Sequence, residues 1–198
     1  MSDTTTIGYY DTNADAFFDQ TVGVDMAPLY EKFLAHIPAG SHILDAGCGS
    51  GRDARAFLDR GFRVTAFDAS AALATKAATL LGQEVRCCRF DEITDTDSFD
   101  AVWACASLLH VERSLLPGIV ARLLSSLRRN GVFYASFKKG NGDRTDASGR
   151  HFTDMTFEAL RELLADTKEL VLIEAWETHD QRPDRKDVAW WNVIGRRI

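Results

Sequence analysis

Apolar positions recur along this chain in two rhythms. Short runs rich in β-branched and aromatic residues stand at 42–47 (HILDAG), 63–68 (RVTAFD), 84–90 (EVRCCRF), 99–106 (FDAVWACA) and 131–137 (GVFYASF). Runs of that length and make-up predict buried strands. Between them the spacing changes to i, i+3, i+4. Ala54, Phe57 and Leu58 follow the first run, and an Ala/Leu-rich stretch capped by Ser70 and reaching Leu81 follows the second. After the fourth come Leu116, Ile119, Val120, Leu123, Leu124 and Leu127, ended by RRNG at 128–131. Strands joined through helices make a parallel sheet covered on both faces.

The rhythm then breaks. A helix is predicted from about Thr156 to Asp166, followed by ELVLIEAWET (169–178) and VAWWNVIGRR (188–197). The nine residues between, HDQRPDRKD, hold no helix, so the last two strands should pair antiparallel. Alternation puts Trp190 and Trp191 on opposite faces. Met26, Leu29, Tyr30, Phe33, Leu34 and Ile37 give a helix near the start an apolar face. With no repeat and no linker, the chain is expected to form one α/β domain over 1–198, with residues 1–40 as helices at the front edge of the sheet.

Chemistry concentrates where the first strand ends. Gly47, Gly49 and Gly51 alternate in a loop that opens a helix, Asp45 stands two residues before them, and Asp68 closes the second strand. Open α/β sheets bind ligands at the carboxyl ends of their strands. Glycine there permits left-handed dihedrals and lets a ligand reach the backbone. A carboxylate at the end of the second strand suits the two hydroxyls of a ribose. The G-x-G-x-G spacing is not the G-x-G-x-x-G of dinucleotide folds. An acid before the first glycine would repel a pyrophosphate and attract an ammonium group. A nucleoside joined to an amino acid, as in S-adenosylmethionine, satisfies both ends; a nicotinamide cofactor is the remote option.

With these residues in view, the chain resembles the class I S-adenosylmethionine-dependent methyltransferases. LDAGCGSG, FDAS, RFDEI and FDAVWACASLLHV look like their four motifs, and the closing hairpin is similar to their last strands. The resemblance implies a doubly wound Rossmann-like sheet of seven strands, in order 3-2-1-4-5-7-6 with the last strand antiparallel. It implies a cofactor site of Tyr10, Asp45, Gly47, Cys48, Gly49, Asp68, Ala69, Phe90, Asp91, Ala104 and Cys105, covered by the N-terminal helices. Within that group, GCGSGRD looks like the small bacterial enzymes gathered around the tellurite-resistance methyltransferases.

A methyl sulfonium is already electrophilic, so a base is needed only for a protonated, weak nucleophile. His110, after the fourth run, and Tyr10 are candidates, with Asp11 and His151 behind them; a histidine in SLLHV also suits plain packing. For the acceptor, the stretch 137–152 carries Lys138, Lys139, Arg144 and Arg150 against Asp143 and Asp146, and 179–187 adds Arg182. These cations suit an anionic small molecule, or simply keep a surface loop solvated.

Composition narrows the field. At 198 residues, 45% hydrophobic and net charge −6, the chain has the make-up of a globular domain with no general attraction for polyanions. No apolar run approaches a membrane span, and the acidic start does not read as a secretion signal. Cys48, Cys87, Cys88 and Cys105 show no metal-ligand spacing and are expected to be buried reduced thiols in a cytoplasmic protein. The expectation is methyl transfer to a small, anionic acceptor by in-line displacement, with no metal. An RNA-directed methyltransferase and a non-catalytic S-adenosylmethionine sensor are the alternatives.

Overall fold

A computed structural model of the chain describes residues 3–167, 169–182 and 185–198. The alternating runs become strands β1 (His42–Ala46), β2 (Arg63–Asp68), β3 (Arg86–Cys87), β4 (Phe99–Ala104) and β5 (Leu127–Lys138). A hairpin of β6 (Gly142–Thr145) and β7 (His151–Asp154) comes next, then β8 (Leu170–His179) and β9 (Ala189–Arg197). Helices α1 (Asp3–Thr12), α2 (Ala14–Thr21) and α3 (Ala27–Leu34) precede the sheet. Helices α4 (Arg52–Asp59), α5 (Ala71–Leu81), α6 (Leu116–Ser126) and α7 (Phe157–Ala165) follow in turn. Ser70 caps α5 by accepting from the Leu73 amide, and Thr156 caps α7 by accepting from that of Ala159. No described helix is long and apolar enough to cross a membrane.

The main sheet runs β3-β2-β1-β4-β5-β9-β8, with β9 antiparallel to both neighbours. The expected order, 3-2-1-4-5-7-6, takes no account of the hairpin inserted after β5, so the closing pair are the eighth and ninth strands. That hairpin was expected as a basic loop because GDRT and HFTD lack a clear apolar alternation. Its turn is made by side-chain chemistry instead. The Asp146 carboxylate accepts from the amides of Ser148 (2.9 Å) and Arg150 (3.1 Å), and Gly149 takes φ +86°.

Two boundaries also differ. The third strand keeps only two residues and lies at the sheet edge, which leaves Cys87 exposed where a buried thiol was expected. All four cysteines are free. Helix α6 stops at Ser126, and Leu127, the last of the helical stripe, instead pairs with Phe99 as the start of β5. It is buried in either role, so apolar spacing could not separate the two.

Apolar clusters cover both faces of the sheet. On one, Phe33 of α3, Phe57 of α4 and Ala77 of α5 meet Trp103 and Tyr134, whose rings stack 3.8 Å apart. On the other, α6 and α7 cover Val102, Phe133 and Phe137. A rigid platform follows, with its strand ends carrying the loops.

Candidate functional site

Two cavities meet above the carboxyl ends of β1 and β4. The first, about 390 Å³, is bounded by the glycine loop, the end of β2, Phe90 and Asp91, and by Thr6, Ile7 and Tyr10 of α1. Gly47, Gly49 and Gly51 have φ of +79°, +55° and +79°, in the region only glycine enters freely. The bare backbone also serves protein neighbours. A Cβ on Gly47 would lie 2.6 Å from the Ser107 Cβ, and one on Gly51 3.0 Å from that of Ala77 in α5.

The Asp68 carboxylate accepts from the Gly49 amide on one oxygen (2.8 Å) and from Ser70 on the other (2.9 Å). Each oxygen has two acceptor positions, so capacity remains for a pair of ribose hydroxyls. Burial raises its pKa against the pull of these backbone donors. Beside it, Phe90 stands edge-on to Phe67 at 5.3 Å and offers an apolar wall to a flat base. A dual acceptor, an apolar slot and a cradle without side chains fit a nucleoside.

The second cavity, about 150 Å³, is bounded by Met26, Cys48, Arg52, Cys105, Lys138, Arg150, Phe152, Asp180, Arg182 and Trp190, among others. Tyr10, Phe17, Gly47, Gly49, Ala106 and His110 border both cavities and so form the seam between them. Ala106 takes φ +52°, strained for a residue with a Cβ, and its amide donates to the Ser136 hydroxyl at 2.8 Å. This kink follows the end of β4 and borders both cavities.

At the seam the Tyr10 hydroxyl lies 2.9 Å from His110 Nε2, and His110 Nδ1 lies 2.7 Å from the His151 carbonyl oxygen. A carbonyl only accepts, so Nδ1 carries the proton and Nε2 accepts from Tyr10. Burial lowers the His110 pKa to about 4, with the His151 carbonyl opposing and Arg150 and Lys138 adding to the fall. Burial also raises Tyr10, against Arg150. Both are neutral at pH 7. Helix α1 is pinned over the seam: the Asp11 carboxylate accepts from the Ser70 hydroxyl (2.6 Å) and the Ala72 amide (3.1 Å), and the His151 amide donates to Thr6 (3.0 Å).

The structure brings Tyr10, Gly47, Gly49, Asp68, Ala69, Phe90 and Asp91 to the first cavity, and Cys48 and Cys105 to the second. Asp45 and Ala104 border neither. Asp45 points into the protein, accepts from the Ala54 amide at 3.1 Å, and is raised by burial and by the nearby Asp53. Ala104 is fully buried at the end of β4, and its expected place is taken by Ala106 and Ser107, beyond the strand end. Of the basic candidates, Lys138, Arg150 and Arg182 converge on the second cavity, whereas Lys139 pairs with Glu177 and Arg144 with Asp154, off both cavities. His151 contributes its backbone rather than its ring.

Sequence reasoning missed Phe17, Ala106, Ser107, Arg52, Asp180 and Asn192. Arg52 forms a two-point pair with Asp53, which also accepts from Tyr30 and from the Trp103 indole (2.8 Å). Burial works against the Asp53 charge, but Arg52 and these donors outweigh it and hold its pKa below the usual range. The adjacency of Arg52 and Asp53 was visible; that both sit beneath the glycine loop was not.

Comparisons with known proteins bear on the family and the fold. A family model described as a methyltransferase domain matches residues 43–131. A solved structure of a Burkholderia thailandensis 1,6-didemethyltoxoflavin-N1-methyltransferase, with that substrate and S-adenosylhomocysteine bound, is 25% identical. The match has a TM-score of 0.77 and covers 96% of this chain and 84% of that one. A TehB-like S-adenosylmethionine-dependent methyltransferase from Corynebacterium glutamicum has the same fold, at 20% identity, TM-score 0.70, and 89% and 90% coverage. A Neonectria sp. (strain DH2) protein, the S-adenosyl-L-methionine-dependent Diels-Alderase iliD, is 40% identical over 63 residues, 31% of this chain. This chain spans only about a quarter (25%) of that relative's length. Residues 43–131 thus match a methyltransferase domain, the chain has the fold of S-adenosylmethionine-dependent methyltransferases, and both point to S-adenosylmethionine as the cofactor. The domain and the neighbours support an enzyme of the S-adenosylmethionine-dependent methyltransferase kind.

Proposed function

We propose that this protein transfers the methyl group of S-adenosylmethionine to a small, anionic molecule held in the second cavity. The observation that carries the reading is the seam: one cavity with the features of a nucleoside site opens through Tyr10, Gly47, Ala106 and His110 onto another rimmed by cations. Asp68 would hold the ribose, Phe90 the base, and the glycine loop the amino-acid end. When bound, the cofactor supplies an electrophilic methyl carbon. The chain's own part is to hold the acceptor in line with that carbon and away from bulk water. The neighbour with 1,6-didemethyltoxoflavin bound supports a small-molecule acceptor. The acidic balance of the chain argues against RNA, and nothing observed assigns tellurite chemistry to it.

The test is incubation with methyl-labelled S-adenosylmethionine and a cell extract, followed by separation of acid-soluble from acid-insoluble label. Label in new small molecules is expected. Label that RNase releases from the insoluble fraction would replace this reading with the RNA-directed one. Absence of transfer by a protein that binds the cofactor would favour the sensor.

A second reading has one observation behind it, the similarity to a Diels-Alderase that depends on the same cofactor. In that case the cofactor would remain methylated while the second cavity aligned a substrate for ring closure, and product analysis without label loss would reveal it.

A further inference from the structure

Four cations border the second cavity alongside Lys138: Arg52, Arg150, Arg182 and Arg185. Arg52 is paired with Asp53, Arg150 with Asp146 at 2.8 Å and Arg182 with Asp180 at 2.6 Å, while Arg185 also has a partner. Lys138 differs from all of them. Among the described residues no carboxylate lies within salt-bridge distance of its Nζ. The ammonium sits 3.8 Å from the centre of the Phe152 ring and 5.9 Å from that of Trp190. Phe152 in turn packs against His110, ring centres 4.8 Å apart, so this charge lies one ring away from the seam.

Charged and polar groups approach Lys138 from several elements. Arg144 and Asp154 come from the hairpin β6–β7, Arg150 from the turn between them, Arg185 from the loop before β9, and His110 and Tyr10 from the seam. Asp154 opposes the arginines but is committed to Arg144 at 2.6 Å. The balance around Lys138 is positive, and a half-buried charge without a partner is costly until a ligand supplies one. Aromatic faces partly compensate it and leave a flat, apolar approach beside it.

The seam holds nothing suited to removing a proton. His110 is neutral, its Nδ1 proton is committed to the His151 carbonyl, and its Nε2 already accepts from Tyr10. Its cationic neighbours would oppose an imidazolium. An acceptor therefore has to arrive already nucleophilic, and the unpaired cation favours one that arrives as an anion.

Resting on the methyltransferase reading above, we propose that the acceptor is a flat aromatic acid, a phenol-type O–H or a heterocyclic N–H ionising near neutrality. It is methylated as its conjugate base, with Lys138 as counter-ion. The acid gives its proton to solvent before or on binding. An electron pair of the anion forms the bond to the methyl carbon while the S–CH₃ pair returns to sulfur, so the negative charge and the sulfonium charge cancel. No general base takes part, and Lys138 stays protonated as a positioning residue.

The probe is 4-nitrophenol, whose phenolate absorbs visibly, added to the protein saturated with S-adenosylhomocysteine so that no turnover occurs. Bound probe should ionise at least about tenfold more readily than free probe, a shift of one pKa unit or more. Nitrobenzene, its uncharged analogue, should bind at least about tenfold more weakly. Lys138→Met should abolish both differences, and Lys138→Arg should restore them. Calorimetry of S-adenosylhomocysteine with each variant separates the two readings. If the product does not bind, the cofactor site and the proposed function fail together. If it binds while the probe is bound neutral, is not bound, or ionises equally in Lys138→Met, the aromatic-anion inference alone is overturned.

Discussion

Lys138 should cost the ligand-free protein stability, and the size of that cost can be worked out. Burial, then the Arg144 charge, lowers its pKa from 10.5 to about 8. Two and a half units correspond to at most about 3 kcal/mol against the charged form in the fold. The side chain keeps a share of solvent, so screening reduces this to about 2 kcal/mol. The Phe152 face returns roughly 1 kcal/mol as a cation–π contact. Lys138→Met keeps the apolar stem and removes the charge. It should therefore stabilise the protein by about 1 kcal/mol at pH 7, or roughly 2–4 °C in Tm. The sign has a pH signature. Between about pH 8 and 10.5 the folded protein has released this proton while the unfolded chain still holds it. The stability of the unsubstituted protein therefore rises relative to Lys138→Met across that window, and the advantage of the substitution fades. Urea denaturation of both proteins at pH 7 and above pH 10 reads the difference. A destabilised Lys138→Met at pH 7, or a gap that does not change with pH, would refute the reasoning and place the ammonium in a well-compensated setting.

Three other outcomes follow from the site. Asp68→Ala should weaken S-adenosylhomocysteine binding by about 1.5–3 kcal/mol, because two charge-assisted bonds are lost; an unchanged affinity in calorimetry would make Asp68 a purely structural cap for Gly49 and Ser70. Gly47→Ala should lower the Tm well beyond Gly40→Ala, since both have φ above +70° but only the former places a Cβ 2.6 Å from Ser107. Equal losses would mean that the Ser107 loop yields freely. His110→Asn should flatten the acid limb of stability. A histidine held near pKa 4 in the fold and near 6.5 unfolded withholds up to about 3 kcal/mol as pH falls through that range. An unchanged acid limb in a pH series of urea melts would mean that His110 protonates without loss.

The legible part of this protein was what short-range pattern controls. Strand and helix runs, the cap at Ser70, and the antiparallel closing pair all follow from periodicity and turn chemistry within about fifteen residues. The hairpin β6–β7 escaped because its partners, Arg144 opposite Phe152 and Thr145 opposite His151, are not an apolar alternation. The basic residues show the limit most clearly. Lys138 and Lys139 are indistinguishable in sequence, yet one faces the second cavity while the other pairs with Glu177 across the edge of the sheet. Strand alternation states that they differ, not which one faces the site. Asp45 and Asp68 similarly stand near strand ends, but only the second borders the first cavity.

By itself the sequence determined the α/β layering, the glycine loop with the acid that closes the second strand beside it, and the class of cofactor it pointed to. These depend on backbone dihedrals and on residues held close by a single strand–turn–helix unit. Only the tertiary structure decided that Tyr10, 100 residues before His110, would meet it at a seam between two cavities. It alone decided which of the cations bordering the second cavity would, among the described residues, lie without a carboxylate in reach. Those outcomes depend on how α1, the β6–β7 hairpin and the loop after β8 pack over the sheet, and long-range packing is summed from many weak contacts that no local pattern records.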